Sequence, residues 1–141
     1  MVELLKQTIG EFEDKFKQKK LNIELKTTEN TIYINADNRY MYRIIENVFS
    51  NISKYALEGS RVYIDISKNE EKAKIEIKNI SKEKLNITAE ELMQRFVRGD
   101  KSRTTEGSGL GLSISESLTK LQKGEFNIVI DGDLFKVEII F

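Results

Sequence analysis

The chain has 141 residues, with 23 Lys plus Arg balanced by 23 Asp plus Glu, and contains no cysteine, no histidine and no proline. The balance gives no support to a nucleic-acid footprint or an acidic target. The missing side chains exclude disulfides, a Cys nucleophile, a Ser/His triad and a His-ligated metal within this polypeptide. No apolar run approaches the roughly 18 residues a membrane helix needs, and the length suits one domain with its own core.

Taken in chain order, "VELLKQTIGEFEDKFKQKK" places Leu4, Leu5, Ile9, Phe12 and Phe16 at helical spacing among charges, which predicts an amphipathic helix from almost the first residue. "LNIELKT" and "TIYINAD" read as two short strands around the turn-like Thr28, Glu29 and Asn30. The longest helix is expected from Asp37 to about Leu57, opened by an Asp or Asn cap and closing before Gly59. "RVYIDISKNEEKAKIEIKNI" alternates with period two on both sides of Lys68, Asn69 and Glu70, the pattern of a hairpin with one buried face. A short helix over Ala89 to Phe96, a helix "LGLSISESLTKLQ" and a final hairpin turning at Asp131, Gly132 and Asp133 complete an α/β chain.

Successive residues of the long helix rotate by about 100°. Met41, Ile44, Ile45, Val48, Phe49, Ile52 and Ala56 then form one broad packing stripe, and Asn47, Asn51, Lys54 and Tyr55 share a narrower strip along its edge. Asparagine has poor propensity inside a helix because its side chain competes for backbone hydrogen bonds. Two of them stacked four residues apart beside a core demand compensation. Loop backbone groups would supply it; so would a hard cation ligated by amide oxygens, with Lys54 directed to phosphate and Tyr55 offering an aromatic surface.

In "RFVRGDKSRTTEGSGLGLSISESL", Gly107, Gly109 and Gly111 alternate ahead of a helix pattern. Leu112 stands where a Walker loop needs Lys and where the dinucleotide fingerprint needs Gly, so neither applies. What remains is a glycine-rich turn running into a helix whose first amides are unpaired and whose dipole favours an anion. Arg98, Lys101 and Arg103 lie close to it upstream; by themselves they read first as a solvated charged loop, and only beside a phosphate site as contacts to it.

"ENVFSNISKY", "RFVRGDKSR" and "GSGLGLSI", in this order and at these separations, resemble the catalytic and ATP-binding domain of sensor histidine kinases, in the superfamily shared with gyrase, the Hsp90 chaperone and MutL. The resemblance covers nearly the whole chain. It implies a Bergerat-type fold, a two-layer α/β sandwich of a mixed sheet with helices on one face. It also implies ATP and Mg²⁺, with Asn51 as principal magnesium ligand, Asn47 supporting the metal and phosphates, Lys54 meeting phosphate and Tyr55 near the nucleotide. Phe96 matches the aromatic of the family's F box, and Gly107, Ser108, Gly109, Leu110, Gly111 and Leu112 match its last glycine box. Between them lies the family's mobile lid, here about 97–108, carrying Arg98, Ser102 and Arg103; of these Arg103 joins Asn47, Asn51 and Lys54 in the catalytic set.

The sequence departs from the pattern at "NISKE", where the family commonly carries Asp-x-Gly-x-Gly. Asn79 stands at the adenine-reading Asp, and Ser81 and Glu83 replace glycines. Where ATP-hydrolysing relatives have a glutamate this chain has Asn47, and Glu46 is expected on the solvent-facing arc with Arg43, Ser50 and Ser53. The expected reaction is transfer of the γ-phosphoryl of Mg-ATP to a histidine on a separate dimerisation domain, since this chain has none. Residues 1–19 are expected to be the helical end of that domain or a linker, and 20–141 the catalytic domain. The implied partners are the dimerisation domain and a response regulator, in a homodimeric, membrane-bound sensor whose cytoplasmic part this is. An anti-sigma-type serine kinase and a nucleotide-binding module without transferase activity are the alternatives. No nucleic acid or direct membrane contact is expected.

Overall fold

The structure is a computed structural model describing residues 1–85, 87–97 and 110–141. Its elements are α1 (Val2–Glu11), α2 (Glu13–Gln18), β1 (Asn22–Thr27), α3 (Asn38–Tyr55), β2 (Arg61–Lys68), β3 (Ala73–Ile80), α4 (Ala89–Val97), α5 (Gly111–Leu121), β4 (Glu125–Asp131) and β5 (Leu134–Ile140). The five strands form one sheet in the order β1-β2-β3-β5-β4. β1 runs parallel to β2, with α3 in the crossover between them, and every other neighbouring pair is antiparallel. The expected mixed sheet under a single helical layer is the architecture observed.

Alternation decides the layering. Val62, Ile64 and Ile66 on β2, Ala73, Ile75 and Ile77 on β3, and Phe135, Val137 and Ile139 on β5 are all buried and share one core with the helices. The intervening residues face the uncovered side, where Lys74, Lys78 and Lys136 pair with Asp65, Glu76 and Glu138 at N–O distances of 2.7–3.4 Å. Each fully buried Ile or Phe contributes about 1.5–3 kcal/mol relative to an exposed position, so the core side carries the stability of the sheet.

Two expectations are corrected. The first helix closes and restarts at Phe12 (φ −94°, ψ 0°), where the Phe12 amide is shared between the Thr8 and Ile9 carbonyls. Phe12, Phe16 and Phe49 pack as a ring cluster with centroids 5.6–5.7 Å apart, so α1, α2 and α3 share core. The second short strand does not form: "TIYIN" lies outside the sheet and reaches a bend at Asn35. Its inward residue joins the common core instead. Ile32 is buried, its carbonyl accepts from the Met1 amine at 3.0 Å, and Tyr33 is left 82% exposed.

Candidate functional site

The N-terminus of α3 is fixed from two directions. The Asp37 carboxylate accepts from the amides of Arg39 and Tyr40 at 2.8 and 3.4 Å, which satisfies two of the helix's orphan donors. The side chain and amide of Arg39 hold the Asp37 carboxyl below its ordinary pKa. The Asp37 amide in turn donates to Gln122 Oε1 at 2.7 Å, tying the start of α3 to the end of α5. From this anchored start the helix sorts its faces as its periodicity predicts: the apolar stripe from Met41 to Ala56 is buried, and Asn47, Asn51, Lys54 and Tyr55 are all half-buried along its edge. Glu46 pairs with Arg43 at 2.9 Å.

α5 starts at Gly111 beside the middle of α3. A Cβ on Gly111 would stand 3.6 Å from Asn47 Cβ, Cγ and Oδ1, so the asparagine amide lies directly against the first turn of α5. Ser115 locks this crossing, its hydroxyl lying 3.3 Å from the Ile44 carbonyl and 3.0 Å from that of Gly111. The cap residue of α5 is Leu110, and it makes no side-chain capping bond. The start of a helix carries N–H groups that have no partner inside the helix, and the positive end of its dipole. The Leu112 side chain is buried in the core, which leaves its backbone for any ligand.

Asn79 closes the arrangement. It is the last inward-facing residue of β3, 3% exposed, where the alternation would otherwise call for an aliphatic side chain. The segment after it docks on the C-terminus of α3: Leu57 N donates to Ile80 O at 2.7 Å, Lys82 N donates to Tyr55 O at 2.9 Å, and Ser81 bridges to Ala56. The register assigned to "NISKE" thus brings Asn79 to the end of α3 that carries Lys54 and Tyr55. Among the described residues, two buried side-chain polar atoms have no hydrogen-bond partner, Asn47 Nδ2 and Asn79 Oδ1. The Lys54 ammonium likewise has no ion pair among the described residues.

The structure therefore gathers Asn47, Asn51, Lys54, Tyr55, Asn79, Leu110, Gly111 and Leu112 around α3, the start of α5 and the end of β3. Phe96 falls on α4. Arg98, Ser102, Arg103, Gly107, Ser108 and Gly109 lie outside the described residues. Sequence reasoning missed Gln122 and Ser115, the two polar residues that fix α3 against α5. Both sit on the inner side of the α5 pattern, and only that position distinguishes them from surface polar residues.

The family model described as "Histidine kinase-, DNA gyrase B-, and HSP90-like ATPase" matches residues 36–138. The chain belongs to this family. It is 33% identical over 99 residues to the sensor protein GtcS of Aneurinibacillus migulanus, an alignment covering 70% of this chain and 27% of that protein. It is 32% identical over 127 residues to the histidine protein kinase SaeS of Staphylococcus aureus, covering 83% of this chain and 36% of the relative. The chain spans about a quarter of the length of several curated relatives it matches. In fold it superposes on the nucleotide-free catalytic domain of the histidine kinase ThkA with a TM-score of 0.83 at 18% identity, covering 99% of this chain and 90% of that one. The mycobacterial sensor histidine kinase MprB gives 0.78 at 20% identity, covering 100% and 93%.

Proposed function

We propose that this chain is the ATP-binding catalytic domain of a two-component sensor histidine kinase, which binds Mg-ATP between α3, the start of α5 and the end of β3 and transfers its γ-phosphoryl group to a histidine on a separate dimerisation domain. The observation that carries this reading is the pair of buried amide atoms without a partner among the described residues, Asn47 Nδ2 at the middle of α3 beside the start of α5 and Asn79 Oδ1 on the strand that docks at the end of α3. A buried polar atom left unpaired costs about 1–3 kcal/mol. A nucleotide supplies partners to both, phosphate oxygens for an amide N–H and an amino group for an amide oxygen.

The roles follow from chemistry and place. Asn79 Oδ1 accepts from the N6 amino group of adenine, and Tyr55 lies along the base or ribose. Lys54 and the first amides of α5 receive the phosphates, joined by the glycines at 107 and 109 and by Arg98, Ser102 and Arg103 from the family's lid. The donor set fits magnesium, because Asn51 and Asn47 offer hard amide oxygens and such ions usually keep substrate phosphates in their shell. Bound there, the ion neutralises charge on the β- and γ-phosphates. Phosphoryl transfer depends mainly on positioning and charge stabilisation, which Asn51, Lys54 and Arg103 provide. Asn47 cannot take a proton from water, and Glu46, engaged by Arg43, does not replace it. The chain is thereby biased toward transfer over hydrolysis.

In this reading residues 1–19 form the helical connection to the dimerisation domain, and a response regulator receives the phosphoryl group from the histidine. Among the described residues no helix is long and apolar enough to cross a membrane, and we place the chain on the cytoplasmic side of a dimeric membrane sensor. The test is incubation with γ-labelled ATP, alone and with a histidine-bearing dimerisation domain. Acid-labile label on the added domain and none on this chain is the expected result. Acid-stable label on Ser, Thr or Tyr would replace the reading with a serine-kinase type, and binding without label on either partner would reduce it to a nucleotide-binding module.

A further inference from the structure

We infer that Lys19 is a positioning residue for the nucleotide site, a strut through which the α1–α2 segment sets the last turn of α3. The inference rests on the proposed role of Lys54, Tyr55 and Asn79. The Lys19 ammonium lies 2.8 Å from the Lys54 carbonyl and 3.4 Å from the Ala56 carbonyl. Both are among the last carbonyls of α3, which have no partner inside the helix and carry the negative end of its dipole. The Tyr55 carbonyl between them is taken by Lys82 N from the β3 exit. Three successive carbonyls at the end of α3 are thus claimed from outside the helix, two by Lys19, the C-cap of α2, and one by the segment that follows Asn79.

The backbone makes Lys19 a fixed point. Lys20 adopts φ +53°, and the turn closes with Leu21 N donating to Phe16 O at 2.9 Å, a helix stop of the Schellman kind. The Lys19 carbonyl accepts from Gly59 N at 3.0 Å, and Asn22 N donates to Ser60 O at 3.1 Å. The end of α2 and the connection from α3 to β2 are therefore zipped together, with the lysine reaching across the seam. Burial is the main cause that holds the Lys19 pKa below its ordinary value; repulsion from Lys82 adds to it and Glu58 opposes it. The ammonium is thus partly withdrawn from water where it meets these carbonyls.

The side chains of Lys54 and Tyr55 leave from the same turn whose carbonyls Lys19 holds, and Asn79 lies on the strand that claims the third. A small shift of that turn separates phosphate contact from base contact. Any motion of α1–α2 is transmitted to this turn through a charge-assisted bond, which neither a packing contact nor the exposed Lys20–Glu58 pair at 3.8 Å replaces.

The experiment compares Mg-ATP dissociation constants for the whole chain and for Lys19→Met, Lys19→Arg, Lys20→Met and Asn51→Ala, at a temperature well below every melting midpoint. Methionine keeps the apolar stem and removes the charge. We expect Lys19→Met to weaken binding about fivefold, because only part of the lost charge-assisted bonding is felt at the nucleotide, with Lys19→Arg within about twofold of the parent and Lys20→Met unchanged. Rescue by arginine is the readout that a merely structural loss does not give. Unchanged affinity in Lys19→Met, or Lys19→Arg as weak as Lys19→Met, overturns the inference. If Asn51→Ala binds normally, the site reading itself has failed; if Asn51→Ala loses binding while Lys19→Met keeps it, only the strut has.

Discussion

The helices α3 and α5 pack side by side and begin in opposite ways. α3 starts on an aspartate that caps two of its own amides, while α5 starts on a leucine that caps none. The same contrast runs through the buried polar side chains. The hydroxyls of Thr8, Ser115 and Thr119 each donate to a backbone carbonyl, at 2.7–3.3 Å, and on the uncovered sheet face the six charges of the Lys–Asp–Glu ladder are all paired. Asn47 and Asn79 each keep a buried amide atom without a partner. Where only the fold is at stake, the chain satisfies its own polar groups. Where donors and acceptors are left open among the described residues, one of them, Asn47 Nδ2, belongs to a side chain beside the start of α5, a helix end suited to an anion.

The sharpest way to break this contrast is Asn51→Ala. If the edge strip serves a ligand, this variant loses magnesium-dependent nucleotide affinity by on the order of 100-fold, at least what is lost when partners of metal ligands are removed. Its melting temperature without nucleotide stays near the parent's, because the apolar stripe of α3 is untouched. Titration calorimetry with and without magnesium, beside a thermal melt, reads both; an unchanged affinity with a lowered melting point makes the strip structural.

Asn79→Asp sharpens the comparison by restoring the residue that the family pattern commonly has. A carboxylate only accepts, so it favours the adenine amino group and repels guanine O6, whereas an amide presents either an acceptor or a donor. We predict tighter ATP binding and a ratio of ATP to GTP affinity about fivefold higher in the variant, about 1 kcal/mol of discrimination. Dissociation constants for both nucleotides in one buffer give the answer. A ratio that does not rise means that Asn79 does not read the base.

The smallest effect belongs to the self-satisfied face. Glu138 has its carboxyl pKa lowered chiefly by the hydrogen bond from Lys136, burial opposing it and Lys74 adding to it. A folded-state value below the unfolded one means stability that is full above the unfolded pKa of 4.5 and lost as pH falls through the folded value. Glu138→Gln should therefore cost no more than about 1 kcal/mol at neutral pH and flatten the acid limb of the stability curve, leaving nucleotide affinity unchanged. Melts from neutral to acid pH test it; a change in nucleotide affinity would contradict the division between the two regions.

Much of this molecule was determined by its sequence alone, because periodicity is a local property. The stripe from Met41 to Ala56 and the strip of Asn47, Asn51, Lys54 and Tyr55 follow from the rotation per residue, and the hairpin turn at Gly132, with φ +58°, follows from residue type. The motif order carried the family for the same reason. What only the tertiary structure decided depends on neighbours distant in sequence. "TIYIN" alternates like a strand, yet Ile32 joins the common core, its carbonyl meets the Met1 amine, and among the described residues no strand pairs with it. Lys19 sits in the run "KQKK", where nothing distinguishes it from the lysines around it, until the fold brings the end of α3 within 2.8 Å of its ammonium. That one amide atom each of Asn47 and Asn79 is buried without a partner among the described residues is also a tertiary fact, since an unmet hydrogen bond is visible only against neighbours distant in sequence.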